Sequence, residues 1–234
     1  MKPSVAILFF TRTAQQEAKE KHWLGVNQQQ KNNKIAAKLI DQTAHFLNQL
    51  HLPVFVFNEE NQVGNTFGER FSNAYQEIFN KGFDAVISVG NDTPGLPQIN
   101  WNEAVNQLQN NQCVLGPSFN GGAYFVGITK NAFENNAFKN LPWQQNELFF
   151  ELLSFCENNS KNSVGLLKKL HDLNTLSDVF KLLKEGKTNK IIAFLRALIL
   201  SLNSFLIVFN QAIKELYIAQ HKQLRAPPFY VVTF

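Results

Sequence analysis

The chain has 234 residues, 44% hydrophobic and 17% charged, enough apolar content to bury a full core and too much for a disordered segment. A formal net charge of +4 with no basic block argues against a nucleic-acid binder. Only Cys113 and Cys156 are present, with no Cys-x-x-Cys pair or zinc-like spacing, which argues against a disulfide scaffold and fits a reducing compartment.

Val5 to Phe10 is a short apolar run that leads straight into Thr11-Arg12-Thr13 without a cleavage site, so it reads as a first buried strand of a cytoplasmic protein. Asn33 to Leu50 carries apolar residues at helical spacing, and Pro53 introduces a second strand, Val54 to Phe57. Phe67 to Phe79 returns to helical spacing and ends at Lys81-Gly82. Asp84 to Val89 is a third strand, Trp101 to Leu108 a helix, and Cys113 to Leu115 and Ala123 to Ile128 two further strands. Helices follow at Gln145 to Phe155 and Leu176 to Glu185. Strands alternating with helices predict a mainly parallel sheet covered on both faces.

A break at Gly186-Lys187-Thr188-Asn189 separates a domain of residues 1–186 from an extension of residues 187–234. In that extension Ile191, Leu195, Leu198, Leu202, Phe205, Phe209, Ala212 and Leu216 form a helical stripe of alternating four and three spacing. Arg196 near the middle of its most apolar part would cost about 2.5–3.5 kcal/mol in a spanning helix. The stripe is therefore expected to pack on its own domain, on a second copy of the chain, or against a membrane surface. Tyr230-Val231-Val232 in the tail has the character of a strand.

Three segments carry candidate chemistry. Asp92 follows the strand Ala85 to Gly90, and ligands of open parallel sheets bind beyond such strand ends. Its carboxylate suits either a hard divalent cation on a diphosphate or the cap of a turn into Thr93-Pro94. Asn120-Gly121-Gly122 precedes a strand, where paired glycines serve either close approach to a ligand or a turn. In Asp172-Leu173-Asn174-Thr175, Asn174 or Thr175 caps the following helix with Asp178 in its first turn, which leaves Asp172 free for a second task.

In order and spacing, Gly68-Glu69-Arg70-Phe71, Gly90-Asn91-Asp92-Thr93-Pro94, Gly116-Pro117 with Asn120-Gly121-Gly122, Trp143, and Asp172-Leu173-Asn174-Thr175 resemble a bacterial glycosyltransferase-like family over roughly residues 4–185. Its members are linked to arsenosugar-biosynthesis or selenodomain-associated transfer and are otherwise a domain of unknown function. The resemblance implies a three-layer α/β/α nucleotide-diphospho-sugar-transferase-like (GT-A) domain, with the C-terminal helical extension added. It implies transfer of a sugar from a nucleotide-diphosphate donor to an unknown acceptor with help from Mn2+ or Mg2+. It places Thr11, Arg12, Thr13, Lys19 and Lys21 at the nucleotide, although Arg12, Lys19 and Lys21 also read as a solvated face. It makes Asp92 and Asp172 the metal-binding and catalytic acids, and it puts Asn120, Gly121, Gly122 and Trp143 at the substrate. Arg70 is expected to order the loop entering its helix.

This chain departs from the family pattern in having Asn120 and Asn174 where Asp is usual, and Gln15-Gln16-Glu17 in place of a Pro/Gly-rich loop. Asparagine adds no charge to a cation site, so the departures lower metal affinity. They also motivate a second reading, a non-catalytic nucleotide-sugar-binding or scaffold domain. A nucleotidyltransferase on the same fold is disfavoured because the first loop lacks the Gly-rich, densely basic character that grips a triphosphate.

Overall fold

The computed structural model describes residues 4–161, 163–184 and 190–201. The chain divides into two units, Met1–Glu185 and Gly186–Phe234. In the second unit residues 190–201 are helical; the rest of the apolar stripe and the expected tail strand lie outside the described residues. No helix among the described residues is long and apolar enough to cross a membrane.

The first unit contains β1 (Val5–Phe10), α1 (Ala14–Glu20), α2 (Gln29–Asn48), β2 (Val54–Phe57), α3 (Phe67–Asn80), β3 (Ala85–Val89) and α4 (Trp101–Asn111). It continues through β4 (Cys113–Pro117), β5 (Ala123–Thr129), α5 (Asn135–Lys139), α6 (Leu148–Asn159), β6 (Gly165–Leu166) and α7 (Leu176–Lys184). The sheet order is β2-β1-β3-β5-β4-β6. The pairs β1–β2, β1–β3 and β4–β6 are parallel, and β5 runs antiparallel to both β3 and β4. The expected mainly parallel three-layer sheet is what forms.

The uninterrupted apolar run of β1 follows from burial on both sides. Val5, Ile7 and Phe9 join Leu47 of α2 and Trp101, Ala104 and Leu108 of α4 in one core. Ala6 and Leu8 join Phe71, Tyr75 and Ile78 of α3 and Leu152 and Phe155 of α6 in the other. Successive strand side chains point to opposite faces, so a strand covered twice must be apolar at every position. The free thiols of Cys113 and Cys156 are buried in the second of these cores.

Three elements lay outside the sequence expectations. Helix α1 forms because Thr13 caps a run of strong helix formers: its hydroxyl accepts from Gln16 N at 3.4 Å. Strand β6 and helix α5 are too short for periodicity to reveal. The predicted helix from Gln145 begins only at Leu148, because Gln145 N first closes a turn onto Pro142 O at 3.1 Å.

Helix α3 has a reciprocal cap: Glu69 N donates to Thr66 Oγ1 at 3.1 Å, and Glu69 Oε2 accepts from Thr66 N at 3.1 Å and from Asn65 N at 2.7 Å. Thr66→Ala is expected to cost about 1 kcal/mol and lower the melting temperature by about 2–4 °C, read by thermal unfolding. An unchanged melting temperature would show that the cap contributes nothing.

Candidate functional site

The chain runs from β1 to β2 on one side of β1 and returns to β3 on its other side. Loops leaving the carboxyl ends of β1 and β3 therefore separate, and a crevice opens between them. Phe9 pairs with Val89, so Thr11–Arg12 and Asn91–Asp92 leave the sheet at the same level. A cavity of about 380 Å³ lies there, bordered by Arg12, Lys21, Arg70, Asp92, Trp143 and Asp172 among others.

Helix α1 creates the charged wall. It sets Glu17 and Lys21 one turn apart on one face, and Lys21 Nζ lies 2.9 Å from Glu17 Oε1. The same ammonium reaches Asp92 Oδ2 at 2.7 Å. Arg12 closes on Glu17 Oε2 at 3.3 Å, and Asn91 Nδ2 donates to Glu17 Oε1 at 3.3 Å. Glu17 is only 3% exposed, Lys21 16% and Asp92 28%, so the chain of charges runs from the interior to the cavity surface. Burial works against the charge on Lys21, but Asp92 and Glu17 outweigh it and hold its pKa above the ordinary value.

Asp172 faces this wall because its segment is laced to the end of β3. Leu173 N donates to Asp92 O at 2.7 Å, and Leu173 O accepts from the buried Trp23 Nε1 at 2.8 Å. Thr93 Oγ1 donates to Asp172 Oδ1 at 2.8 Å. Burial first, and the nearby Asp92 charge second, push Asp172 up to about 7 against the hydrogen bond and the Lys21 charge. The Ser118 hydroxyl also favours the ionised form, although its geometry falls short of a full hydrogen bond.

The opposite wall is aromatic. Phe71 lies edge-on to Phe10 and to Trp143, each at 4.9 Å between centroids, and Phe67 tilts against Trp143 at 5.7 Å. Gly68, in the first turn of α3, lets this wall close: a Cβ there would lie 2.0 Å from Lys139 O and 2.8 Å from Trp143 Cδ1. Arg70 donates to Asn65 O at 3.0 Å, which orders the loop entering α3 as expected, and it also borders the cavity.

Of the sequence candidates, Thr11, Arg12, Lys21, Asp92, Gly122, Trp143 and Asp172 border the cavity. Thr13, Lys19, Asn120 and Gly121 do not. Thr13 is turned to Glu59, which accepts from its backbone N at 2.8 Å and from its hydroxyl. Lys19 is exposed on the outer face of α1 and Asn120 on an exposed turn. Gly121, at φ +83°, approaches protein and not ligand, since a Cβ would meet Asn146 O at 2.3 Å and its carbonyl accepts from Phe149 N at 3.0 Å. Asn174 borders the cavity; the helix cap belongs to Thr175, whose hydroxyl accepts from Asp178 N at 3.3 Å.

Sequence reasoning missed Glu17 and Asn91. The signal for Glu17 was present in the cap-and-helix pattern from Thr13, which places Glu17 four residues before Lys21.

A divalent ion shared by Asp92 and Asp172 does not fit this arrangement. Lys21 Nζ already pairs with Asp92 Oδ2 at 2.7 Å and is backed by Glu17, so a cation on that oxygen would sit against the ammonium. Among the described residues no group of three or more His, Cys, Asp or Glu side chains is placed to hold a metal ion.

Residues 41–145 match the model of a family described as uncharacterized protein conserved in bacteria (DUF2064). No curated protein matches the chain by sequence. A solved structure from Desulfovibrio desulfuricans G20, named "putative nucleotide-diphospho-sugar transferase", superposes with a TM-score of 0.71 at 22% identity, covering 84% of this chain and 97% of that one. At that identity the likeness establishes the fold. The chain thus shares the fold of that structure and, over residues 41–145, resembles a bacterial family of uncharacterized proteins.

Proposed function

We propose that the cavity binds a nucleotide-diphospho-sugar and that the protein transfers the sugar to an acceptor hydroxyl. The observation that carries this reading is the meeting, at the carboxyl ends of β1 and β3, of cationic Arg12, Lys21 and Arg70 with the titratable carboxyl of Asp172. Cations on the β1 side suit a diphosphate, and the rings of Phe67 and Trp143 offer flat apolar contact to a ring of the donor.

In the reaction the bond between the anomeric carbon and the diphosphate oxygen breaks, and the nucleoside diphosphate leaves with the electron pair. The acceptor oxygen bonds to the anomeric carbon, and its proton passes to the Asp172 carboxylate and then to solvent. Charge grows on the departing diphosphate, where fixed cations stabilise it more than they stabilise the donor. Thr93 orients the base through its hydrogen bond to Asp172 Oδ1.

The test is release of nucleoside diphosphate from a panel of UDP-, GDP-, CDP- and dTDP-sugars, followed by chromatography with and without candidate acceptors. At least one donor is expected to be turned over, and Asp92→Ala is expected to slow it about 100-fold or more, because it removes one of the two carboxylates that position Lys21. If no nucleotide sugar is bound or cleaved, the reading falls.

A further inference from the structure

Resting on that reading, we infer that Lys21 is the resident cation of the diphosphate site, so that a nucleoside diphosphate is bound without a divalent metal. An ammonium has three N–H donors and no acceptor. Lys21 donates to Asp92 Oδ2 at 2.7 Å and is ion-paired with Glu17 Oε1 at 2.9 Å. Two carboxylate contacts do not exhaust three donors, and Lys21 borders the cavity.

Geometry makes this a built position and not a passing contact. Glu17 is 3% exposed and is itself braced by Arg12 and Asn91, so the anchor of Lys21 cannot swing away at low cost. Asp92 at the end of β3 thus holds a positive charge at the strand end, the place where the fold resemblance implies a metal. A divalent ion entering the same position would have to displace Lys21 from Asp92 and leave its ammonium against a second positive charge. Its remaining partner, Asp172, is oriented by Thr93.

Calorimetry on the full chain decides this, with UDP, GDP, CDP, ADP and dTDP as probes, once in EDTA and once in Mn2+. The expected result is binding of at least one nucleoside diphosphate in EDTA, with a dissociation constant within about threefold of that in Mn2+. Lys21→Met and the milder Lys21→Gln are expected to weaken binding in EDTA by about 10- to 100-fold, the loss of one charge-assisted hydrogen bond. Binding that tightens tenfold or more with Mn2+ in the wild type overturns the inference while leaving the proposed function standing. Unchanged binding by either folded variant overturns it as well. The absence of binding in both conditions overturns the proposed function itself, and the inference with it. The wild-type comparison needs no variant, so it decides even where a substitution at Lys21 prevents folding.

Discussion

Asp172→Asn is expected to slow sugar transfer by about 100- to 10,000-fold, the usual contribution of a positioned general base, while making the protein more stable near pH 8. Both effects come from one environment. Burial and the charge of Asp92 raise the Asp172 carboxyl from 3.8 to about 7. Between these values the folded chain holds a proton that the unfolded chain has released. The stabilisation from this group is therefore complete below about pH 4 and lost as pH rises through about 7. Above that point the wild type carries an ionised carboxylate in a site that disfavours it.

Asparagine keeps an oxygen to accept from Thr93 and removes the charge. A gain of about 1 kcal/mol, or about 2–4 °C in melting temperature, is expected at pH 8 and little at pH 4. Transfer by the wild type should rise with pH through about 7 and level off as Asp172 becomes ionised. The variant's residual rate should lose that limb. Removing the Lys21 charge should move the limb upward, since that charge favours ionised Asp172. A variant with full activity, or a wild-type profile flat from pH 5 to 9, would remove Asp172 from the reaction.

Gly68→Ala is expected to be the most disruptive single-atom addition near the site, costing about 3 kcal/mol and lowering the melting temperature by about 6–12 °C. The new Cβ would lie 2.0 Å from Lys139 O, a backbone atom that cannot rotate aside, and 2.8 Å from Trp143 Cδ1. Helix α3 and the α5–Trp143 segment must move apart. That separates Phe67 and Phe71 from Trp143 and opens the aromatic wall. Donor binding should weaken along with stability. A folded Gly68→Ala protein with wild-type melting and wild-type donor affinity would show that this close approach is not required.

Much of the fold was legible because its elements are locally coded. Val5 to Phe10 is apolar at every position, and α3 carries its capping box in Thr66 and Glu69. The reversal at β5 was less visible. Ser118 to Gly122 is too short for the crossover that parallel neighbours need, so the antiparallel β4–β5 pair is implied by loop length, yet the insertion of β5 beside β3 is not. Reading the Thr11 to Lys21 segment as a ligand loop concealed α1. Helicity there turns Lys19 outward and Lys21 inward, so two lysines that look equivalent in sequence separate in role.

That Asp92 stands at the end of a buried strand is legible locally, because apolar pattern and strand length are properties of neighbouring residues. What Asp92 faces depends on segments far away along the chain. Lys21 is 71 positions away along the chain, and Asp172 is fastened to the same strand end through Leu173 and Thr93. Electrostatic interaction depends on distance in space and on exclusion of water. The charge state of this site, and with it the chemistry open to it, is written in the packing of distant segments against β1 and β3.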